Sequence, residues 1–158
     1  MNTIKILNQS DYHAIKKFIE QEGSFFDFFI NLGWSIKEIK KNLDKKTNYS
    51  IGYFHKDSLK ALLFGDIVEI DNKLELEIFI VYVSHKYRRN KIATKLLQFI
   101  EKNKKISKIF LEVEEDNHIA NKLYEKNSFV FLKFRHNYYK NNSKLNRAKC
   151  YIKDINYE

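Results

Sequence analysis

Between Phe79 and Leu97 the hydrophobic pattern changes period twice. An apolar, β-branched run ends at Val83, a polar and basic loop follows, and from about Asn90 apolar residues recur as Ile92, Leu96 and Leu97. A run of that kind followed by helical spacing predicts a strand, a loop and a helix extending to about Asn103. Upstream, Thr3 to Leu7 reads as a first strand. Ser10 or Asp11 can cap a helix to about Gln21, with Ile15, Phe18 and Ile19 on one face and Gly23 ending it. The block Phe25-Phe26-Asp27-Phe28-Phe29 follows neither period and is expected to be core or a lid over a cleft. Ser35-Ile36-Lys37-Glu38 is a capping box, so a second helix starts after Trp34 and turns Ile36, Ile39 and Leu43 inward.

The middle of the chain alternates. Tyr49 to His55 and Lys60 to Ile70 are expected strands, joined by a turn at Lys56-Asp57-Ser58, and Leu74 to Val83 is the next. Strict alternation puts Glu75, Glu77, Phe79, Val81 and Val83 on one side of that strand, and Leu74, Leu76, Ile78, Ile80 and Tyr82 on the other. Lys108 to Val113 should lie parallel to it, because a crossover helix separates the two. A helix over about Asn117 to Lys126 and strands near Phe129–Phe134 and Ala148–Ile155 complete the order β-α-α-β-β-β-α-β-α-β-β. There is no repeat, no linker and no proline. The pattern is that of one α+β domain over residues 1–158, with a mixed sheet.

Composition narrows this only a little. A chain of 158 residues with 44% apolar and 15% aromatic content folds around one core, and no apolar run approaches membrane-spanning length. The start lacks the blocks of a signal peptide, so a cytoplasmic location is the expectation. The net charge of +9 would suit a polyanionic ligand or a ribosome-bound partner, yet lysines are spread over every segment. That spread argues against a specific nucleic-acid reader. Arginine is more telling: it occurs at 88, 89, 135 and 147, and two of these lie in the loop after Val83.

That loop changes the picture. A helix's first amides have no internal partner and its dipole favours an anion, so strand, basic loop and helix start make a pyrophosphate site. Arg88 and Arg89 would add charge-assisted bonds. A second stretch carries candidate proton-transfer groups: Glu112 on the strand, then Asn117 and Tyr124 on the helix. Seven residues apart, the last two fall within about 20° of each other on one helical face. A carboxylate and a phenol could thus face one cleft, the phenol suited to protonating a departing thiolate. His85, His118 and His136 have no metal-ligand spacing with one another or with Cys150, and no metal is expected.

These residues carry a resemblance. Arg88-Arg89-Asn90-Lys91-Ile92-Ala93 resembles the acetyl-CoA loop of the GCN5-related N-acetyltransferases, Gln/Arg-x-x-Gly-x-Gly/Ala. Leu111-Glu112-Val113, Asn117, Ala120 and Leu123-Tyr124 through Ser128-Phe129 are similar to that superfamily's second motif. Arg135-His136-Asn137-Tyr138-Tyr139 resembles the Arg-x-Asn-Tyr-Tyr of the ribosomal-protein-alanine N-acetyltransferase group. The likeness covers residues 74 to 155 well and the first 70 in topology alone.

The resemblance implies a central, mostly antiparallel sheet of six to seven strands with about four helices, its parallel pair splayed around the cofactor. It implies acetyl-CoA as co-substrate, with Val81, Tyr82 and Val83 on the pantetheine arm. Arg88, Arg89, Asn90, Lys91, Ile92, Ala93 and Thr94 would surround the pyrophosphate, and Asn117 the cofactor's arm. Glu112 would be general base through water and Tyr124 general acid, with Glu75 and Glu77 as rival bases. Trp34, Tyr138 and Tyr139 would lie on the acceptor side. The expected acceptor is a protein N-terminus, a ribosomal protein beginning with Ala. A small amine, a lysine, or a non-catalytic acetyl-CoA-binding module are the alternatives. Attack within a ternary complex leaves Cys150 no nucleophilic role. Lys91 and Ser128 stand where the family has glycine; Lys91 can offer its backbone amide if that position is helical.

Overall fold

The computed structural model describes residues 1–31, 33–136 and 147–155, apart from the side chains of Phe25, Phe28 and Asn31. Its strands are β1 (Asn2–Ile6), β2 (Ile51–His55), β3 (Ser58–Ile70), β4 (Lys73–Val83), β5 (Ile106–Glu114), β6 (Val130–Arg135) and β7 (Ala148–Asp154). They form one sheet in the order β1-β2-β3-β4-β5-β7-β6. Every neighbouring pair is antiparallel except β4 and β5, which run parallel on either side of a helical crossover. The hairpin turns are set by local chemistry. Lys56 and Asp57 (φ 48° and 60°), and Asp71 and Asn72 (φ 50° and 62°), take the left-handed conformation at both central positions that suits the twist of a two-residue hairpin.

The helices are α1 (Tyr12–Gln21), α2 (Gly23–Asn31), α3 (Ile36–Asp44), α4 (Ile92–Glu101) and α5 (His118–Lys126). The cap of α3 forms as expected: Ser35 Oγ accepts from the Glu38 amide at 3.3 Å, and the Glu38 carboxylate accepts from the Ser35 amide at 2.8 Å. The start of α1 differs. A 3-10 turn over Gln9–Asp11 precedes it, and Asn8 is the residue whose side chain caps that turn. Asp11 instead accepts from the Asn8 amide and from Lys5 Nζ. Gly23 does not end a helix but begins α2, so the aromatic block expected to lack a regular period is helical. Phe29 from this helix is fully buried, and that tertiary burial outweighs the block's weak periodicity.

Two apolar clusters lie on opposite faces of the sheet. On one, Ile92, Leu96, Leu97 and Ile100 of α4 and Tyr124 of α5 pack on Leu76, Ile78, Ile109, Leu111 and Val113. On the other, Ile15, Phe18 and Ile19 of α1, Phe29, Ile39 and Leu43 pack on Leu62, Phe64 and Ile80. The allotment of Ile78 and Ile80 to different faces overturns strict alternation along β4. Gly65 pairs with Ile78 and Phe64 with Ile80, so Phe79 is the extra residue of a β-bulge. Beyond it the parity flips, and Tyr82 joins the α1–α3 side while Val81 and Val83 pack on the α4 side. Gly65 is required there, since a Cβ on it would lie 2.7 Å from the Glu77 carbonyl oxygen and 2.9 Å from Leu76 Cδ1.

Candidate functional site

The bulge has a consequence on β4's other edge. Pairing with β5 runs from Leu74↔Ile106 to Ile78↔Leu111. Past that point β4 keeps its β3 partners to Val83↔Ala61, and β5 keeps its β7 partners to Glu114↔Ala148. The two parallel strands therefore part company. The Ser84 amide donates to the Lys60 carbonyl at 2.8 Å. Because hydrogen-bonded and non-hydrogen-bonded pairs alternate in an antiparallel ladder, Tyr82 bonds toward β3, and the amides of Val81 and Val83 are aimed at the gap beside β5. An extended polar ligand can add there as a strand does.

At the mouth of this gap the chain turns into α4. A 3-10 turn over His85–Tyr87 leads to Arg88, whose Nε donates to the Val83 carbonyl at 3.1 Å while its guanidinium lies 5.4 Å over the Tyr82 ring. The Asn90 side chain donates to the carbonyls of Tyr87 and Arg88 and so shapes the loop. Arg89 and Lys91 are left-handed, with φ of 63° and 56°. Lys91 is the N-cap of α4, not a helical residue as its proposed role required, and makes no side-chain cap. The first helical bond is Lys95 N to Lys91 O, which leaves the amides of Ile92, Ala93 and Thr94 without intrahelical partners. Ile92 is buried in the core and fixes the helix start. Thr94 accepts from the Asn127 amide at 3.5 Å, tying α4 to the end of α5.

Tyr124 is buried against Phe129 and Tyr151, with ring centroids 5.5 and 6.2 Å away. Burial raises its phenol above the ordinary value of 10.0, so it stays protonated through the whole neutral range. Asn117 is the N-cap of α5: its side chain accepts from the Ala120 amide at 3.2 Å, and its backbone is not helical. The wheel argument that put it on Tyr124's face therefore does not hold. The polar residue on that face is Asn121, one turn before Tyr124. Its amide nitrogen donates to the carbonyls of Glu114, Glu115 and Asn117, and its oxygen accepts from the Tyr151 hydroxyl at 2.7 Å. A polar residue three positions before a buried tyrosine, on an otherwise apolar helix face, was the signal available in the sequence.

Glu112 lies on the other face of β5 from Leu111 and Val113, so it and Tyr124 face opposite sides of the sheet. Past Ile78 and Leu111, β4 and β5 no longer pair, so no strand-to-strand hydrogen bonds close the sheet between these two sides. Both Glu112 oxygens accept from Arg135 Nη1, at 3.1 and 2.9 Å, and the Cys150 thiol donates to Oε1 at 3.7 Å. Glu77, the last β4 residue of its face before the bulge, is held above the usual carboxylate range. Burial is the first cause, then the charges of Glu112 and Asp66, against the opposing pull of Arg135. Glu75 is instead paired with Lys108 at 3.7 Å. Burial, and then Glu112, pushes the Cys150 thiol up, away from nucleophilic use. Trp34 stacks on Phe64 at 5.9 Å and tilts against Phe29 and Phe79, which gives it a packing role. Tyr138 and Tyr139 lie outside the described residues. No group of three or more His, Cys, Asp and Glu residues among the described residues could hold a metal ion. Among the described residues, no helix is long and apolar enough to cross a membrane.

Comparison with known proteins agrees with this geometry. The profile of the acetyltransferase (GNAT) family matches residues 39–129. No curated protein sequence matches the chain. Among solved structures, the ribosomal-protein-S18-alanine N-acetyltransferase of Escherichia coli superposes with a TM-score of 0.80 at 25% identity, over 100% of this chain and 96% of that one. Arabidopsis thaliana NAA60 in complex with a bisubstrate analogue gives 0.79 at 18% identity, over 99% of each chain. The PaiA N-acetyltransferase of Thermoplasma acidophilum with coenzyme A gives 0.72 at 17% identity, covering 95% and 98%.

Proposed function

The chain belongs to the acetyltransferase (GNAT) family, and from that premise we propose that it transfers the acetyl group of acetyl-CoA to the N-terminal α-amine of a protein. The observation that carries the transfer chemistry is the parted β4–β5 pair, with the Val81 and Val83 amides turned into the gap and the α4 amides at its mouth. The residues fit acetyl-CoA in kind. Val81 and Val83 would hold the pantetheine arm, and the segment from Arg88 to Thr94 the pyrophosphate, chiefly through the unpartnered amides of Ile92, Ala93 and Thr94. Full-length likeness to the alanine N-acetyltransferase of Escherichia coli supports a protein N-terminus, a ribosomal protein starting with Ala, and a cytoplasmic location goes with it.

In this reading the terminal ammonium gives up one proton on the Glu112 and Glu77 side, directly or through water. The neutral nitrogen then attacks the thioester carbonyl. As the C–S bond breaks, the leaving sulfur takes the Tyr124 proton and the acylated nitrogen sheds its second proton, which restores the phenol through water; amide and thiol leave neutral, and the carboxylate passes one net proton to solvent. The buried phenol is a weaker acid than a free one but is always loaded. The test is release of CoA thiol from acetyl-CoA with an Ala-starting peptide. Tyr124→Phe should lower kcat by about 100-fold with acetyl-CoA affinity retained. Transfer to a polyamine or lysine and to no peptide N-terminus would overturn the acceptor. Binding of acetyl-CoA without thiol release to any amine would overturn catalysis itself.

A further inference from the structure

Glu22 joins α1 to α2. Its amide closes α1 on the carbonyls of Phe18 and Ile19, and its carbonyl accepts the Phe26 amide of α2 at 3.0 Å. Its side chain reaches across the sheet to the far end of β4. Oε1 accepts from the buried Ser84 hydroxyl at 2.5 Å, and Oε2 from the Tyr82 hydroxyl at 3.2 Å. Ser24, two residues on, meets the same Tyr82 hydroxyl at 3.3 Å. Each hydroxyl can donate once: Ser84 and Tyr82 to the carboxylate, Ser24 to Tyr82. Glu22 is half-buried, so its carboxylate loses part of its hydration at a cost an apolar packing residue would not incur, and two O–H donors offset that cost at this position.

What is held matters more than the bonds themselves. Tyr82 and Ser84 flank Val83 and alternate with it. Fixing their side chains fixes the orientation in which the Val81 and Val83 amides face the gap. The Tyr82 ring also carries the Arg88 guanidinium, so the tie continues into the loop that opens α4.

We propose that Glu22 is a positioning residue for acetyl-CoA, latching the α1–α2 junction to the strand end that binds the co-substrate. The inference rests on the acetyltransferase reading above. Its test is calorimetry of the whole chain with acetyl-CoA, which separates stoichiometry from affinity. Misfolding lowers the number of sites, whereas loss of positioning raises Kd at unchanged stoichiometry.

Glu22→Ala should weaken binding about tenfold, equivalent to about 1.4 kcal/mol. Glu22→Gln, which keeps one acceptor oxygen, should recover part of that. Ser84→Ala and Tyr82→Phe should each weaken binding about threefold and add nothing to Glu22→Ala, because all three act through one network. If Glu22→Ala lowers the stoichiometry, the Gln, Ser84 and Tyr82 variants decide by the same criterion. A Kd within twofold of the parent protein in these variants overturns the latch and leaves the acetyltransferase reading intact. A parent protein that does not bind acetyl-CoA overturns both.

Discussion

The two halves of β4 belong to one continuous strand and differ in how their edges are paired. From Leu74 to Ile78 the strand is paired on both edges, by β3 and β5, and its apolar side chains lie under α4. From Phe79 to Val83 it keeps β3 alone, and its amides at 81 and 83 are turned to an open gap. One inserted residue separates these states. A bulge bends its strand and sharpens the local twist. Here that carries the second half away from β5, which continues straight onto β7. The difference teaches that the open edge, which we propose as the binding edge, is made by a defect in pairing rather than by a special side chain.

The comparison breaks most directly at Gly65, which faces the bulge. Its missing Cβ lets the Glu77 carbonyl approach, and a methyl there would meet it at 2.7 Å and the Tyr49 carbonyl at 3.3 Å. Both neighbours are backbone and cannot rotate aside. Gly65→Ala should therefore cost about 2 kcal/mol of stability, read as a lower denaturant midpoint at unchanged slope. It should also weaken acetyl-CoA binding in the protein that remains folded. A stable variant with full affinity would mean that the parting of β4 and β5 does not depend on this bulge.

How much of this lay in the sequence differs between the halves. The Leu74–Val83 strand, the parallel Lys108–Val113 strand and the crossover helix follow from apolar periods, which report burial, and the sheet confirms them. The bulge at Phe79 does not follow, because β-branched residues on both sides read as unbroken alternation, and the flip of parity is a tertiary event. The aromatic helix over Gly23–Asn31 was hidden for a related reason: its apolar residues surround the helix, and only packing selects Phe29 as buried. At the site, the arginine pair stood out by its rarity and spacing singled out Glu112 and Tyr124, whose roles are part of the proposal; spacing misplaced Asn117, which caps α5. Glu22 and Ser84 were not legible: each is a common polar residue whose meaning comes from a partner distant in sequence.

A smaller effect separates the backbone from the side chain at the mouth of the gap. Lys91 and Ser128 are both non-glycine residues in the left-handed region, with φ of 56° and 64°. A Cβ there costs about 1 kcal/mol, partly offset by glycine's greater entropy loss on folding. Lys91→Gly and Ser128→Gly should each raise stability by about 0.5 kcal/mol. Ser128, whose amide is taken by the Glu125 carbonyl at the end of α5, serves as the control. If Lys91 works through its amide, Lys91→Gly binds acetyl-CoA as tightly as the parent or more so. Weaker binding in Lys91→Gly but not in Ser128→Gly would give the anion to the ammonium instead.

The smallest effect probes the boundary between the halves. Glu77 faces Asp66 from β3, which itself pairs with Lys45 at 3.6 Å; Glu112 faces it from β5 and Arg135 from β6. Its carboxyl titrates above the ordinary value of 4.5, so the folded protein holds this proton more tightly than the unfolded chain does. Stability from that proton is present below the unfolded value and is lost as pH rises through the folded one. Replacing Glu77 by Gln removes the loss. The variant and the parent should melt alike near about pH 4, and the variant should melt higher by about pH 8, a modest gap because the side chain is partly solvated. The same variant bears on catalysis. If Glu77 shares the amine's proton with Glu112, Glu77→Gln should displace the acidic limb of the kcat/KM profile. A profile unmoved by Glu77→Gln but lost in Glu112→Gln would confine proton acceptance to β5, beyond the point where the strands part.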